Sequence, residues 1–320
     1  MTSEANASPW TRDDVPELSG RHVVVTGANS GLGYETALAC AARGARVVLA
    51  CRDPRKSSAA IEHIQQEHPG AQVEYAALDL ASLASIRACA KSLHESLGRI
   101  DVLCNNAGVM AIPYRRTADG FEMQIGTNHF GHFALTGLLL EALLAAPAAR
   151  VVNVSSGAHR MGRMRWDDLH WERGYQRWPA YAQSKLANLL FTYELQRRLE
   201  AGGHRAIALA AHPGYAATNL QFVAPQMTRS SLGERVMQFG NWLLAQDAAA
   251  GALPSLRAAT DPGAAGGDYW GPDGMLEIRG HPVRVESTTR SHDRDHQQKL
   301  WQTSTEQTGV DFAALETTPS

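Results

Sequence analysis

The segment that most restricts the fold is residues 22–33. His22-Val23-Val24-Val25-Thr26 is a short apolar, β-branched run that passes without a linker into Gly27-Ala28-Asn29-Ser30-Gly31-Leu32-Gly33. A run of that kind with no polar alternation reads as a strand buried on both faces. Glycines between a strand and a helix let backbone approach a phosphate closely. The helix N-terminus behind them supplies aligned N–H groups and the positive end of its dipole. The helix is expected over 33–43, with Gly44 as its C-terminal stop.

The same rhythm continues along the chain. Strands are expected at 46–51, 73–78, 100–105, 150–155 and 205–211. Helices are expected at 57–67, 83–97, 180–201 and 247–260, with a long helical region at 120–146 and a Gly-rich turn at 263–272. Apolar strands alternating with helices imply an α/β fold: a single doubly wound parallel sheet of Rossmann type with helices on both faces. The expected organisation is an N-terminal arm at 1–20, broken by Pro9 and Pro16, and one catalytic domain at 21–302. That domain would carry a substrate lid at about 215–245, and 303–320 reads as a frayed, polar tail.

Composition narrows the function classes. A formal net charge of −2 over 320 residues argues against a nucleic-acid surface. The basic residues at 160–165 stand beside Asp167 and Asp168 and read as a solvated loop. Cys40, Cys51, Cys89 and Cys104 have no CxxC or metal-like spacing, which points to free thiols in a reducing cytoplasm. The polar start, residues 1–14, shows no signal-peptide core, and no stretch has the length of a membrane span.

Tyr181 and Lys185 stand at i and i+4 on an expected helix face. A phenol titrates near pH 10, and a neighbouring cation is expected to lower that value toward working pH. His129, His132, His159 and His212 lack a third ligand or carboxylate in metal-like spacing and read as ordinary helix and loop histidines.

The TGxxxGxG spacing at 26–33 resembles the short-chain dehydrogenase/reductase family, and with it the motifs fall into order over nearly all of 18–217. The resemblance implies a nicotinamide dinucleotide held by Gly27, Asn29, Ser30, Gly31, Leu32 and Gly33. Asp79 and Leu80 would contact adenine, and Asn105, Ala107 and Gly108 belong to a sheet-stabilising motif at the cofactor. Pro213, Gly214 and Thr218 form a loop closing over the nicotinamide. It implies catalysis by Asn128, Ser156, Tyr181 and Lys185. In that scheme Ser156 hydrogen-bonds the substrate oxygen while Ser155 faces away. Lys185 also grips ribose, and Asn128 holds a water that links Lys185 to solvent.

Cofactor choice is read from charge. Where an NAD enzyme carries a carboxylate after the second strand, this chain has neutral Cys51 followed by Arg52, with Lys56 a turn later. A guanidinium there suits a 2′-phosphate, so NADP is expected over NAD. Asn29 occupies the place where the family's other basic NADP signal would stand.

The strings at 126–133, 152–156 and 184–188 are similar to the retinol dehydrogenase-like branch, as is the aromatic insertion with Trp166, Trp171, Tyr175 and Trp178. That implies a small lipophilic alcohol or carbonyl substrate. Phe222, Val223, Met227, Met237, Phe239, Trp242 and Leu243 suit an apolar lid, or equally packing against the core or against a second copy in a homo-oligomer. Two other readings share the motifs: a protochlorophyllide-type double-bond reductase and a non-catalytic dinucleotide sensor. The first is disfavoured because no cysteine stands near Tyr181, the second because Asn128, Ser156, Tyr181 and Lys185 are all retained.

Overall fold

Among the described residues, eight strands form one sheet in the order β3-β2-β1-β4-β5-β6-β7-β8. The computed structural model describes residues 9–214 and 247–316. Thr218 and the seven apolar residues assigned to a lid lie outside them. The strands are β1 (His22–Thr26), β2 (Arg46–Cys51), β3 (Val73–Ala77), β4 (Val102–Asn105), β5 (Arg150–Val154), β6 (Ile207–Ala211), β7 (Tyr269–Pro272) and β8 (Pro282–Arg284). All pairings are parallel except β7 with β8. The order reverses between β1 and β4, which is where a doubly wound sheet opens a crevice at its carboxyl edge.

Local chemistry starts and stops the helices. In α1 (Gly31–Ala42) glycines dominate the entry. Asp53 caps α2 (Pro54–Glu67) through the N–H groups of Arg55 and Lys56, with proline at the first helical position. Ser82 caps α3 (Leu83–Leu97), and Gly98, at φ +65°, ends it. Alternate faces of β1 feed two cores. Val24 packs with α3 residues such as Ile86 and Leu93, whereas Val23 and Val25 pack with Leu38 and Cys40 of α1.

Four expectations need correction. The helical region at 120–146 is broken into α4 (Met123–Ile125), a π-turn (Gly126–Phe130), α5 (Gly131–Leu138) and α6 (Leu140–Leu144). A Cβ at Gly131 would collide with the carbonyl oxygen of Leu80, so close packing on the β3 loop shapes the break. The Gly-rich turn at 263–272 contains β7, because Tyr269 and Trp270 pair with Ala210 and Ala211 of β6. Pairing across the sheet outweighs the local Gly-Pro signal. The stretch from Thr303 is no frayed tail within the described residues. Α9 (Arg294–Thr308) runs through it, and Val310, Phe312 and Leu315 are buried in the core. The arm is likewise tied down, with Val15 and Leu18 buried against α1 and β2. Here α7 is Arg177–Ala201 and α8 is Ala248–Thr260.

A polar layer runs beneath the carboxyl edge. The amide of Asn105 donates to Thr136 Oγ1 at 3.0 Å and to Asn153 Oδ1 at 2.8 Å. Asn153 in turn donates to Thr192 Oγ1 at 3.0 Å, and Thr192 to the carbonyl of Asn188 at 2.7 Å. Β4, β5 and α7 are thereby tied at one level.

Candidate active site

Two turns meet at the carboxyl end of β1. Thr26 Oγ1 accepts from the backbone N–H groups of Asn106 and Ala107, both at 2.9 Å, and the Asn106 side chain donates to the Thr26 carbonyl at 2.8 Å. Gly27 and Gly31 take φ values of +66° and +58° that L side chains rarely adopt. A Cβ on Gly27 would sit 2.9 Å from that of Ala107. Ser30, at the α1 N-cap, makes no side-chain cap, and no acidic residue stands in the first helical turn. The N-terminal donors of α1 thus lack a side-chain acceptor. A tight, uncapped helix entrance of this kind fits the pyrophosphate of a dinucleotide.

The residues expected to meet the outer part of the cofactor sit at the ends of β2 and β3. Arg52 and Lys56 are exposed, and neither forms an ion pair among the described residues. Asp53, next to Arg52, accepts from the Arg55 and Lys56 N–H groups at 3.0 and 3.1 Å, so its carboxylate is spent as a helix cap. Asp79 similarly accepts from Ala81 N, and Leu80 is buried beneath Gly131. Asn105 lies under the site with both amide hydrogens used in the polar layer. Pro213 and Gly214 follow β6, and the Gly214 N–H donates to His212 Nδ1 at 3.2 Å.

The other cluster stands on α7 and the π-turn. The Tyr181 hydroxyl faces the side chain of Ser156, which follows β5. Ser155 points elsewhere, donating to the Lys185 carbonyl at 2.9 Å. Lys185 Nζ donates to the Val154 carbonyl at 3.0 Å, and Asn188 Nδ2 reaches the same oxygen at 3.0 Å. A Cβ on Gly108 would lie 3.0 Å from Asn128 Oδ1 and 3.6 Å from Lys185 Nζ, so the turn after β4 adjoins both.

Burial overrides the expected effect of lysine on tyrosine. Tyr181 and Lys185 are 4% and 3% exposed. Desolvation pushes the phenol up to about 12, opposed by the Ser156 side chain, and the ammonium down to about 8. The ammonium lies 5.8 Å from the Tyr181 ring centroid and is directed at a carbonyl. A low-dielectric site disfavours both charges, and within the protein alone that cost exceeds what either gives the other.

Asn128 is braced. Its Oδ1 accepts from Val109 N at 2.8 Å, and its Nδ2 donates to the Val109 carbonyl and to Ser184 Oγ, both at 2.9 Å. Both amide hydrogens are thereby spent, and the second lone pair of Oδ1 is what the side chain has left for the implied water. Its carbonyl accepts from His132 Nδ1 at 3.0 Å. Thr26, Val109, Ser184 and Asn188 were missed in the sequence. Ser184 and Asn188 had a signal, standing one residue before and three after Lys185, whereas Thr26 and Val109 act through contacts distant in the chain.

His129 and His132 are buried and paired with Ser304 Oγ and Thr26 Oγ1 at 2.8 and 3.0 Å. No group of potential metal ligands occurs among the described residues.

A glycine turn at the switch point of a doubly wound sheet, opposed by a buried Tyr–Lys pair, defines an oxidoreductase that uses a nicotinamide dinucleotide. The chain belongs to the short chain dehydrogenase family, whose profile matches residues 21–228. It is 40% identical over 309 residues to retinol dehydrogenase 13 of Homo sapiens, covering 94% of this chain and 88% of that one. This places it in the retinol dehydrogenase-like branch. The crystal structure of an uncharacterized protein from Mycobacterium paratuberculosis is similar with a TM-score of 0.79 at 45% identity, covering 95% of this chain and 99% of that one. An NAD(P) dependent gluconate 5-dehydrogenase from Beutenbergia cavernae, solved with NADP at low occupancy, is similar at 25% identity and a TM-score of 0.60. That match covers 79% of this chain and 95% of the other. The protein is thus an enzyme interconverting small alcohols and carbonyls. Among the described residues no helix is long and apolar enough to cross a membrane.

Proposed function

We propose that this chain is an NADP(H)-dependent oxidoreductase for a small lipophilic alcohol/carbonyl pair, working through Ser156, Tyr181 and Lys185 with Asn128 as their brace. The observation that carries it is the buried Tyr181 hydroxyl facing Ser156, with Lys185 one helical turn on and the turn after β4 beside Lys185. A bound nicotinamide dinucleotide supplies or accepts the hydride.

The protein's own groups handle the proton and the oxygen. Ser156 Oγ and the Tyr181 hydroxyl both donate toward a substrate carbonyl oxygen, stabilising the charge that develops there. Tyr181 gives its proton to the nascent alkoxide in reduction and takes it back in oxidation. A phenol held up near 12 is protonated and suited to donate in the reductive direction. Lys185, near 8, exchanges a proton within the working pH range and can restore the phenol. Nearly complete burial of both groups keeps bulk water from competing.

NADP is supported by the neutral Cys51, the exposed Arg52 and the engagement of Asp53 Oδ1 as a helix cap. The Beutenbergia cavernae enzyme with NADP agrees. A lipophilic substrate is supported by Trp178, 51% exposed and set edge-on to Tyr181 at 6.2 Å, and by the name of the retinol dehydrogenase relative. Four buried free thiols suit a reducing compartment, and we place the enzyme in the cytoplasm.

The deciding experiment is a series of straight-chain aldehydes with NADPH, followed by cofactor absorbance. An apolar site gains about 0.8 kcal/mol per buried CH₂, so kcat/KM should climb with chain length until the pocket is filled. A flat profile, or a preference for a sugar, would exclude a lipophilic substrate.

A further inference from the structure

The segment joining β7 to β8 carries two non-glycine residues in the left-handed region, Leu276 at φ +56° and Glu277 at φ +55°. Such backbone persists only where its surroundings hold it. Burial does not do so here, since Met275 and Leu276 are each 83% exposed. Backbone bonds within the turn, Glu277 N–H to the Gly274 carbonyl at 2.9 Å and Gly274 N–H to the Arg279 carbonyl at 3.0 Å, hold it, and the Glu277 carboxylate ties it to the rest of the fold. Its Oε2 lies 2.9 Å from His212 Nε2 and its Oε1 2.6 Å from Arg160 Nη2.

Each of those contacts leads to a different wall of the active site. His212, 1% exposed, immediately precedes Pro213-Gly214. Its Nδ1 accepts from Gly214 N–H at 3.2 Å, so Nε2 carries the ring proton and donates to Glu277. Arg160 belongs to the 3-10 turn Gly157–Met161 directly after Ser156, and the Ser156 carbonyl accepts from His159 Nδ1 at 2.7 Å. Glycine keeps the contact close. A Cβ on Gly214 would run into the Ile278 carbonyl, and one on Gly271 into the His212 ring.

We infer that Glu277 is a positioning residue: one carboxylate, bridging His212 and Arg160, sets the Pro213-Gly214 segment relative to Ser156 and thereby the nicotinamide end of the cofactor site relative to the substrate oxygen. The inference rests on the proposed reading of Ser156 and of the loop after β6. His212 transmits the buried half of the bridge. Arg160 supplies the solvent-side half, with its side chain 47% exposed.

The test is cofactor affinity by fluorescence or calorimetric titration of the full chain, with NADPH and with 2′-phospho-ADP-ribose, which lacks the nicotinamide. Glu277→Ala is expected to weaken NADPH about tenfold, the low end for losing a hydrogen bond to a charged group, and to leave 2′-phospho-ADP-ribose unchanged. Glu277→Gln, whose single amide oxygen can accept from His212 or Arg160 but not both, should weaken NADPH to an intermediate extent and leave 2′-phospho-ADP-ribose unchanged. If Glu277→Ala does not fold, Glu277→Asp replaces it, since a carboxylate one methylene shorter cannot meet both partners. Equal losses for the two nucleotides would reduce Glu277 to a structural residue, and unchanged NADPH affinity would remove it from the site altogether. Failure of the underlying reading shows separately, as a wild-type protein that does not bind NADPH or whose turnover survives Ser156→Ala.

Discussion

His132 Nε2 lies 3.0 Å from Thr26 Oγ1, joining the end of β1 to the helix that follows Asn128. Since His132 Nδ1 donates to the Asn128 carbonyl, its Nε2 is free to accept the Thr26 proton. The threonine hydroxyl meanwhile accepts from Asn106 and Ala107 N–H. One buried oxygen therefore ties the cofactor turn, the turn after β4 and the π-turn together. Thr26→Val keeps the shape and strands the Ala107 N–H and the His132 Nε2, while the Asn106 N–H keeps the Cys104 carbonyl. An unsatisfied buried donor costs about 1–3 kcal/mol, so a loss of that size by denaturant unfolding is expected, together with weaker NADPH binding. A variant as stable as wild type would mean the hydroxyl is dispensable.

Tyr181→Phe retains the ring against Trp178 and removes the hydroxyl that faces Ser156. Turnover should drop by the roughly 10²–10⁴-fold that a general acid/base group supplies, with NADPH affinity little changed. Steady-state kinetics on any accepted aldehyde decides this. Near-normal turnover would falsify the catalytic assignment.

Arg52 is exposed at the end of β2. Losing a charged hydrogen bond to a 2′-phosphate is expected to weaken NADPH roughly ten- to hundredfold in Arg52→Ala at low salt. NADH should be nearly unaffected. Titration of both cofactors is the check, and equal losses would make Arg52 structural and withdraw the NADP preference.

Lys185 illustrates a cost borne for function. Its folded value near 8 lies below the ordinary 10.5. Between those values the unfolded chain keeps a proton that the folded chain has released, so stability rises with pH across that window. Below it both states are protonated and the full cost applies, on the order of 3 kcal/mol at about 1.4 kcal/mol per pKa unit. Lys185→Met should therefore raise the melting temperature near neutral pH by a few degrees while abolishing turnover. The Val154 carbonyl keeps Asn188 as its donor. A lower melting temperature would show that the ammonium stabilises the fold.

Acid acts through buried imidazoles. Burial holds His129 near 3 and His132 and His159 near 4, against an ordinary 6.5. As pH falls from 6.5 toward 4, the unfolded chain takes up protons that the folded chain refuses. Stability should then fall by up to about 1.4 kcal/mol per pH unit for each ring. In His129→Leu the slope of denaturant stability against pH should flatten by one proton's share. An unchanged slope would assign acid sensitivity to other groups.

Strands β1 to β6 were legible because runs such as Val23-Val24-Val25 and Val47-Val48-Leu49 are apolar throughout, as a sheet covered on both faces requires. Β7 and β8 were not, because Gly271, Pro272 and Pro282 carry turn chemistry and only pairing, of β7 with β6 and of β8 with β7, makes strands there. Α9 begins at Arg294 in a polar sequence whose buried members, Leu300 and Trp301 among them, are few. The spacing of Tyr181 and Lys185 was local and therefore readable. Their protonation was not, since desolvation comes from groups far away in the chain. Glu277 escaped notice for the same reason, its partners standing 65 and 117 positions away.

The polar layer beneath the site has a direction. Asn105 Nδ2 gives both hydrogens away, one to Thr136 and one to Asn153, and Asn153 and Thr192 each pass donation onward toward α7. Asn105 Oδ1 has no partner among the described residues. Turning that one amide over would set its oxygen against the acceptors Thr136 Oγ1 and Asn153 Oδ1, so the row has a single sense and polarises along it. Its last member, Asn188, donates to the Val154 oxygen that also receives Lys185. The row thus ends on the backbone carbonyl of the same residue whose side-chain amide separately meets the oxygen that receives the lysine.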